Sequence, residues 1–238
     1  MMSIVKHIPN TITCCNLLSG CVSIFLTCSN HLLGASAMIF VAAVFDFFDG
    51  FAARLLHAKS PIGAELDSLS DVVSFGVAPS FIIAALLNNT DITWMLAGIN
   101  VFPMLAFVLA VFAAIRLAKF NIDTRQSSSF IGLPVPTVGL FIASLPFLLS
   151  NISNESCLYQ IVTNPCLLLS LVVIFSWLMI SEIPFFSFKI KNLKFKDNVL
   201  RYFVALFAIV ALITLKWVAL PFIFLFYIVI SLICYRGE

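Results

Sequence analysis

The chain has 238 residues, of which 62% are hydrophobic and only 10% are charged, and its formal net charge is +2 at pH 7. Soluble domains carry about 25% charged residues, so this composition excludes an ordinary soluble domain and predicts an integral membrane protein. No basic patch of the kind that binds nucleic acid occurs, and we expect no nucleic-acid partner.

Eight apolar segments follow one another along the chain. Each is near the roughly 20 residues that a helix needs to span a bilayer. The segments lie at about 12–29, 32–57, 66–88, 92–119, 133–151, 163–185, 199–215 and 217–235. The expected fold is therefore an all-α integral membrane protein, a bundle of about eight transmembrane helices that forms a single membrane domain over residues 1–238.

Lys and Arg are distributed unevenly between the connections. They lie after the second, fourth and sixth apolar segments and near both termini, whereas Lys216 alone lies on the other side. Basic residues are concentrated in cytoplasmic connections. We therefore expect both termini, and the connection between the second and third segments, to be cytoplasmic.

The stretch from residue 46 to residue 71, DFFDGFAARLLHAKSPIGAELDSLSD, carries four aspartates between apolar runs. Asp46 and Asp49 are three residues apart and Asp67 and Asp71 are four apart, so each pair would share one face of a helix. Pro61 and Gly63 indicate a break between two helices. The pattern predicts a helical hairpin with four carboxylates converging at its mouth.

Carboxylates at membrane depth need a physical reason. Each one costs roughly 2.5–3.5 kcal/mol at the centre of a membrane helix, and four together repel one another. Divalent cations remove both problems, and carboxylate ligands suit Mg²⁺ or Mn²⁺. Two such ions held by shared acids are a common site for phosphate oxygens. The alternative is a solvated group of acids at a helix end.

The same stretch contains the pattern D-x-x-D-G-x-x-A-R, eight residues, G-x-x-x-D-x-x-x-D. Its fixed positions are Asp46, Asp49, Gly50, Ala53, Arg54, Gly63, Asp67 and Asp71. This pattern resembles that of the CDP-alcohol phosphotransferases. The resemblance implies a dimeric membrane enzyme in which an alcohol attacks a CDP-linked lipid directly. It also implies a six-helix catalytic core at 12–185, preceded by a cytoplasmic segment at 1–11 and followed by a C-terminal helical hairpin at 199–235. A prokaryotic cytoplasmic membrane is the expected location.

Further stretches narrow the acceptor alcohol. Residues 9–20, 72–79, 116–121, 130–136 and 178–189 resemble the family members that transfer a phosphatidyl group from CDP-diacylglycerol to L-serine. The implied partners are CDP-diacylglycerol, L-serine and membrane lipids. Glycerol 3-phosphate, an inositol phosphate or choline are alternative acceptors, although an acceptor phosphate would need more basic residues. A divalent-cation transporter is a further alternative, and it would need acids near the midplane on several helices.

The aspartates divide into two predicted roles. Asp46, Asp49 and Asp67 are the expected primary ligands of two divalent cations, Mg²⁺ or Mn²⁺, with Asp71 shared or nearby. Asp71 is also the expected catalytic base, which takes the proton from the serine hydroxyl.

The other candidate residues would bind substrate. Gly50 and Ala53 leave space for the cytidine or its ribose, and Arg54 could stabilise nucleotide charge; Gly63 belongs to the same set. Asn10, Thr13 and Asn16 could face the site as hydrogen-bond donors, although Asn10 could instead cap the first helix.

Two basic residues and one acid follow later in the chain. Arg116 and Lys119 could bind the substrate phosphate or the serine carboxylate, or they could serve as basic membrane anchors. Glu182 could accept the serine ammonium group, or it could only reach the lipid headgroup layer.

Topology mapping tests the predicted orientation. We expect reporter fusions at residue 238 and in the 151–164 connection to give opposite signals, because the basic residues place them on opposite sides of the membrane. Matching signals would mean that a span is miscounted, with 199–235 as the first region to re-examine.

Overall fold

The computed structural model describes residues 7–58, 60–123, 130–185 and 199–234. Helices account for most of them. In chain order the α-helices are α1 (His7–Cys28), α2 (Leu32–Leu55), α3 (Pro61–Asp71), α4 (Ala78–Asn88), α5 (Val108–Ile122), α6 (Val135–Ser150), α7 (Cys157–Val162), α8 (Pro165–Ile180), α9 (Val199–Leu215) and α10 (Ala219–Cys234). The predicted all-α fold is confirmed.

Short irregular elements join these helices. A π-helical segment, Val72–Val77, connects α3 to α4, and 3-10 segments at Phe102–Phe107 and Lys216–Val218 lead into α5 and α10. Two antiparallel strand pairs complete the described structure. They are β1 (Met95–Leu96) with β2 (Ile99–Asn100), and β3 (Phe130–Ile131) with β4 (Pro184–Phe185).

The helices are apolar enough for a membrane. Five helical runs in the described residues have the length and composition needed to cross one: His7–Cys28, Leu32–Leu55, Pro61–Asn88, Phe102–Ile122 and Val199–Ile233. The shorter helices α6 and α8 are also apolar. Each of the eight predicted apolar segments contains a helix, so the chain is a multi-span membrane protein.

Helix boundaries differ from the prediction in two places. The first helix was expected from residue 12 but begins at His7; consequently Asn10 lies inside α1 and does not cap it. The fourth segment was expected to be helical from residue 92, but β1 and β2 form a hairpin there. Ala97 and Gly98 have positive φ angles of 49° and 80°, which a two-residue hairpin turn requires.

The last apolar run folds back on itself. Lys216 has a φ angle of 51° at the turn between α9 and α10. The rings of Phe207 and Phe226 stack with their centroids 4.0 Å apart, which is possible only when the two helices lie side by side. Trp217 stacks on Phe147 of α6 at 5.4 Å, so the turn of the hairpin is attached to the core.

α1 packs closely against α2, against α3 and against the π-helical segment that follows α3. The hydroxyl of Ser74, in the π-helical segment, donates to the carbonyl oxygen of Asn16 over 3.0 Å. The hydroxyl of Ser70 donates to the carbonyl oxygen of Thr13 over 3.3 Å. A Cβ at Gly20 would lie 2.5 Å from the Ser74 hydroxyl oxygen. The absence of a side chain at Gly20 therefore permits the close contact between α1 and the π-helical segment.

Gly20→Ala tests this close approach. We expect the added methyl group to destabilise the protein by about 1–3 kcal/mol, because it would overpack the interface between α1 and the π-helical segment. Thermal unfolding in detergent measures the effect. Gly50→Ala is the control, since a Cβ there would meet nothing within 4 Å and alanine favours a helix. Equal stability of the two variants would contradict the packing described here.

Candidate active site

Three aspartates from two helices form a cluster. Asp46 and Asp49 lie on α2, and Asp67 lies on α3. Each offers one carboxylate oxygen, and these oxygens all lie within 4.8 Å of one another. Asp49 is 5% exposed, and the other two are half-buried. The predicted convergence of the two aspartate pairs is thus present for three of the four residues.

The connection between α2 and α3 sets this geometry. Ser60 caps α3, because its side-chain oxygen accepts the backbone N–H of Gly63 over 3.1 Å. Pro61 occupies the first turn of α3, where its missing N–H costs nothing. The predicted helix break is confirmed at Pro61, whereas Gly63 lies inside the first turn of α3, because the cap at Ser60 starts the helix earlier.

The cluster has the properties of a cation site. Asp49 Oδ2 and Asp67 Oδ1 are buried and have no hydrogen-bond partner among the described residues. A buried carboxylate oxygen without a partner is costly, and a bound cation would remove that cost. The donor set consists of carboxylate oxygens, which are the ligands that Mg²⁺ and Mn²⁺ prefer. The residues therefore fit a divalent metal ion.

Asp71 lies next to the cluster but is not one of its three members. It is the last residue of α3, one turn beyond Asp67, and it is only 7% exposed. The amide Nδ2 of Asn16 donates to Asp71 Oδ1 over 3.2 Å. Asp46, Asp49 and Asp67 all act on Asp71 electrostatically. One oxygen of Asp71 is thus held by α1 beside the three clustered carboxylates.

A cavity of about 190 Å³ opens beside the cluster. Asp49 and Asp67 form part of its wall. Five residues predicted to bind the nucleotide or substrate also line it: Asn10, Thr13, Gly50, Ala53 and Gly63. The space beside Gly50 is open: a Cβ placed there would contact no described atom within 4 Å.

Two further predicted residues lie elsewhere. Arg54 is exposed, and its Nε donates to the carbonyl oxygen of Gly50 over 2.9 Å; it is not part of the cavity wall. Asn16 is buried against Asp71 and also lies outside that wall. Their roles in substrate binding stay predictions.

The wall also contains residues that the sequence did not single out: Pro9, Ala58, Ser60 and Ala64. Ser60 carried a recognisable signal, because Ser followed by Pro is a typical helix start. Ala58 and Ala64 carry no such signal, because the sequence does not indicate that they face the cavity.

A second cavity, of about 330 Å³, lies between the end of α5 and the end of α8. Arg116, Lys119 and Asp123 line it from one side, and Ser181 and Glu182 line it from the other. The cavity therefore presents charges of both signs. The sequence predicts Arg116, Lys119 and Glu182 as candidate substrate-binding residues, and the structure adds Asp123 to the same cavity wall.

Backbone pairing shapes this second cavity. The N–H of Gly132 donates to the carbonyl oxygen of Ile183 over 2.9 Å, and the N–H of Leu133 donates to Leu178 over 3.0 Å. Gly132 has a φ angle of 78°, a conformation that favours glycine. These bonds hold the end of α8 and the segment that follows it, which includes Glu182.

Arg116 is the buried cation of the second cavity. It is 6% exposed, and its Nη2 atom has no hydrogen-bond partner within the part of the chain that the structure describes. Its guanidinium carbon lies 5.0 Å from the centroid of the Phe120 ring, a cation–π distance. Arg116 is thus buried, whereas Lys119 is exposed, and the roles of both in substrate binding stay predictions.

Hydrogen bonds join α3 to α5. The hydroxyl of Ser68 on α3 donates to Asn121 Oδ1 on α5 over 3.1 Å. Asn121 Nδ2 donates to Glu65 Oε2 over 3.4 Å. The helix that carries Asp67 and Asp71 is therefore bonded to the helix that carries Arg116 and Lys119.

Comparison with known proteins identifies the class. The family model for CDP-alcohol phosphatidyltransferase matches residues 6–185. A Bacillus subtilis CDP-diacylglycerol--serine O-phosphatidyltransferase is 35% identical over 184 residues, covering 77% of this chain and 92% of that protein. A Methanocaldococcus jannaschii protein with the same description is 30% identical over 232 residues, covering 97% of this chain and 96% of that protein.

The chain belongs to the CDP-alcohol phosphatidyltransferase family. The resemblance predicted from the aspartate pattern is therefore confirmed. Enzymes of this family depend in general on divalent metal ions, and the cluster of Asp46, Asp49 and Asp67 is a group that could bind one.

Substitution of the clustered aspartates tests the cation site. We expect Asp46→Asn and Asp67→Asn each to weaken Mn²⁺ binding by at least about tenfold, since even outer-shell changes cost that much at metal sites. Electron paramagnetic resonance titration of the purified protein measures free Mn²⁺. Glu65→Gln is the control, because it removes an exposed carboxylate from the same helix outside the cluster. If all three variants bind Mn²⁺ like the wild type, the cluster is not the metal site.

Proposed function

We propose that the chain transfers the phosphatidyl group from CDP-diacylglycerol to L-serine, giving phosphatidylserine and CMP. The observation that carries this proposal is the cluster of Asp46, Asp49 and Asp67 beside a cavity of about 190 Å³. It combines a site for cations with space for a nucleotide. The names of the relatives support serine as the acceptor.

Asp46, Asp49 and Asp67 would hold two divalent cations, Mg²⁺ or Mn²⁺, with Asp71 sharing one or lying nearby. Such cations neutralise a diphosphate and make CMP a better leaving group. The other residues of this cavity wall would bind the nucleotide and orient it. Gly50 and Ala53 leave room for the cytidine or ribose, and Asn10 and Thr13 offer polar groups to it.

Asp71 is proposed as the base. It would accept the proton of the serine hydroxyl while the hydroxyl oxygen bonds to the β-phosphorus and the bond from that phosphorus to the CMP oxygen breaks. Asn16 Nδ2 holds Asp71 Oδ1, which leaves Oδ2 to take the proton. The displacement is direct, with no phosphatidyl-enzyme intermediate.

The second cavity supports an amino acid as the acceptor. Arg116 can pair with a carboxylate through two parallel hydrogen bonds, with Lys119 nearby. Glu182, on the opposite wall, can accept hydrogen bonds from an ammonium group. An acceptor phosphate would be repelled by Glu182, so glycerol 3-phosphate and an inositol phosphate match this cavity less well than serine does.

The proposed setting is the cytoplasmic face of a prokaryotic membrane, with a homodimer as the assembly. The distribution of Lys and Arg supports this orientation for the site and both termini. A cytoplasmic site also suits a substrate that derives from CTP. The transporter alternative is disfavoured, because the three clustered acids lie on one hairpin, α2 and α3, rather than on several helices.

An acceptor panel tests the proposal. Purified protein in detergent is given CDP-diacylglycerol, Mg²⁺ or Mn²⁺, and one of L-serine, glycerol 3-phosphate, inositol phosphate or choline. We expect CMP release and phosphatidylserine formation with L-serine alone. If CMP release depends on another alcohol, that alcohol is the acceptor in place of serine. If no alcohol supports CMP release, the assignment as a transferase is contradicted.

Asp71→Asn separates chemistry from binding. If Asp71 is the base, turnover should fall by roughly 10²–10⁴-fold while the protein still binds CDP-diacylglycerol in the presence of metal. Lipid affinity and CMP release are measured on the same preparation. Asp91→Asn, beyond the far end of α4, is the control. Loss of affinity in proportion to the lost rate would assign Asp71 to metal binding and contradict its role as the base.

A further inference from the structure

The β1–β2 hairpin connects two helical runs that span the membrane. The run that ends at Asn88 and the run that begins at Phe102 both have the length and composition to cross it. Asn88 is the last residue of α4, about 25 Å along the helix from Asp71. The hairpin therefore lies at the membrane surface, at the end of the bundle away from the aspartate cluster.

Large apolar side chains cover this hairpin. Those on and beside its strands are between 54% and 66% exposed: Trp94, Met95, Leu96 and Ile99. The sequence has no charged residue between Asp91 and Arg116. Proteins rarely expose a contiguous apolar patch to water unless the patch is an interaction site. The hairpin thus has the surface of an interaction site and not that of a solvated connection.

The helical run that follows the hairpin has an exposed apolar face. Its exposed side chains recur at intervals of four, three and four residues: Met104, Val108, Val111 and Ile115. This spacing places them on one side of the helix, and on a membrane span such a side meets lipid. Trp94 packs edge-on against Phe102 at the start of this run, with ring centroids 5.2 Å apart. The lipid-facing side of the span therefore begins at the hairpin, which identifies lipid as the partner of its apolar surface.

Hydrogen bonds satisfy the backbone at the base of the hairpin. Asn100 Oδ1 accepts the N–H of Trp94 over 3.0 Å and the N–H of Phe102 over 3.2 Å. The N–H of Val101 donates to the carbonyl oxygen of Trp94 over 2.9 Å, and the two strands pair with each other. A pair of strands still has unpaired groups along its outer edges, and such groups are excluded from hydrocarbon. The hairpin is thus suited to the boundary of the membrane and not to its centre.

We propose that the β1–β2 hairpin is an interfacial anchor. The side chains of Trp94, Met95, Leu96 and Ile99 lie between the headgroups and the acyl chains of the leaflet farther from the aspartate cluster. Tryptophan favours this layer, because its ring is apolar while its N–H reaches water or headgroups. The hairpin carries no basic residue, so it needs no anionic headgroup and binds the acyl-chain boundary of a zwitterionic lipid.

An anchor at this place would set the depth of two helices that reach the active site. α4 continues the helical run that carries Asp67 and Asp71. The 3-10 segment Phe102–Phe107 packs against α4 and leads into α5, and Arg116 lies in the second half of α5. Because helices are stiff, an anchor at one end of α4 and α5 also fixes the depth of the residues toward their other ends.

Fluorescence quenching of Trp94 tests the proposal and does not depend on the reaction that the protein catalyses. The purified protein is reconstituted into phosphatidylcholine vesicles that carry bromine, a quencher of tryptophan, either near the headgroup or near the methyl end of the acyl chains. The signal of Trp94 is the difference between the wild type and Trp94→Phe, which keeps an aromatic ring. We expect shallow bromine to quench Trp94 more strongly than deep bromine, and acrylamide in the water to quench it weakly. A protein with Trp177→Phe and Trp217→Phe, in which Trp94 alone emits, repeats the measurement.

A charge in the hairpin tests whether its apolar side chains cause the insertion. Leu96→Asp should move Trp94 toward water, because a carboxylate is costly among acyl chains. Quenching by acrylamide should then rise, quenching by shallow bromine should fall, and the emission should shift to longer wavelength. Asn89→Asp is the matched control. It adds the same charge at an exposed position in the polar stretch before the hairpin and should leave the quenching of Trp94 unchanged.

Several results would overturn the proposal. Strong quenching by acrylamide with no effect of bromine would place the hairpin in water. Stronger quenching by deep bromine would place it in the hydrocarbon core. Protection from both quenchers would mean that protein, such as a second copy of the chain, covers Trp94. Equal quenching of Trp94 in Leu96→Asp and in the wild type would contradict insertion by the apolar side chains.

Discussion

The grouping of three carboxylates inside a membrane bundle is the constraint on which the rest of the structure depends. Asp46, Asp49 and Asp67 present oxygens within 4.8 Å of one another, and two of these residues carry a buried oxygen that has no partner in the described segments. Such an arrangement is costly unless cations are bound. The carboxylates therefore destabilise the fold where α2 meets α3. The same carboxylates attract divalent ions, and those ions would bind a diphosphate.

The surrounding helices hold this site open and in register. α1 approaches the π-helical segment Val72–Val77 so closely that Gly20 has no room for a side chain, and Asn16 of α1 donates a hydrogen bond to Asp71 at the end of α3. α5, which carries Arg116, is joined to α3 by hydrogen bonds through Asn121. The helix that supplies Asp67 is therefore bonded to the helix that supplies the buried cation of the second cavity.

Local sequence signals predicted the hairpin and the class of protein. The spacing of the aspartates, the helix break at Pro61 and Gly63 and the long apolar runs each depend on neighbouring residues, and each has a simple physical meaning. These signals indicated the membrane bundle, the convergence of Asp46, Asp49 and Asp67, and most of the residues that line the first cavity.

Contacts between distant residues could not be predicted in the same way. Asn16 and Asp71 are 55 residues apart, and the second cavity joins α5 to the end of α8 through strands of only two residues. Local sequence does not indicate such partners, because packing decides them only in the folded bundle.

The number of cations bound per chain tests the central claim most directly. Purified wild-type protein saturated with Mn²⁺ and CDP-diacylglycerol is separated from free metal, and bound Mn²⁺ is counted against protein concentration. The account predicts two ions per chain, falling to fewer in Asp67→Asn. One ion or none in the wild type, or two in the variant, would contradict a two-cation site built from these carboxylates.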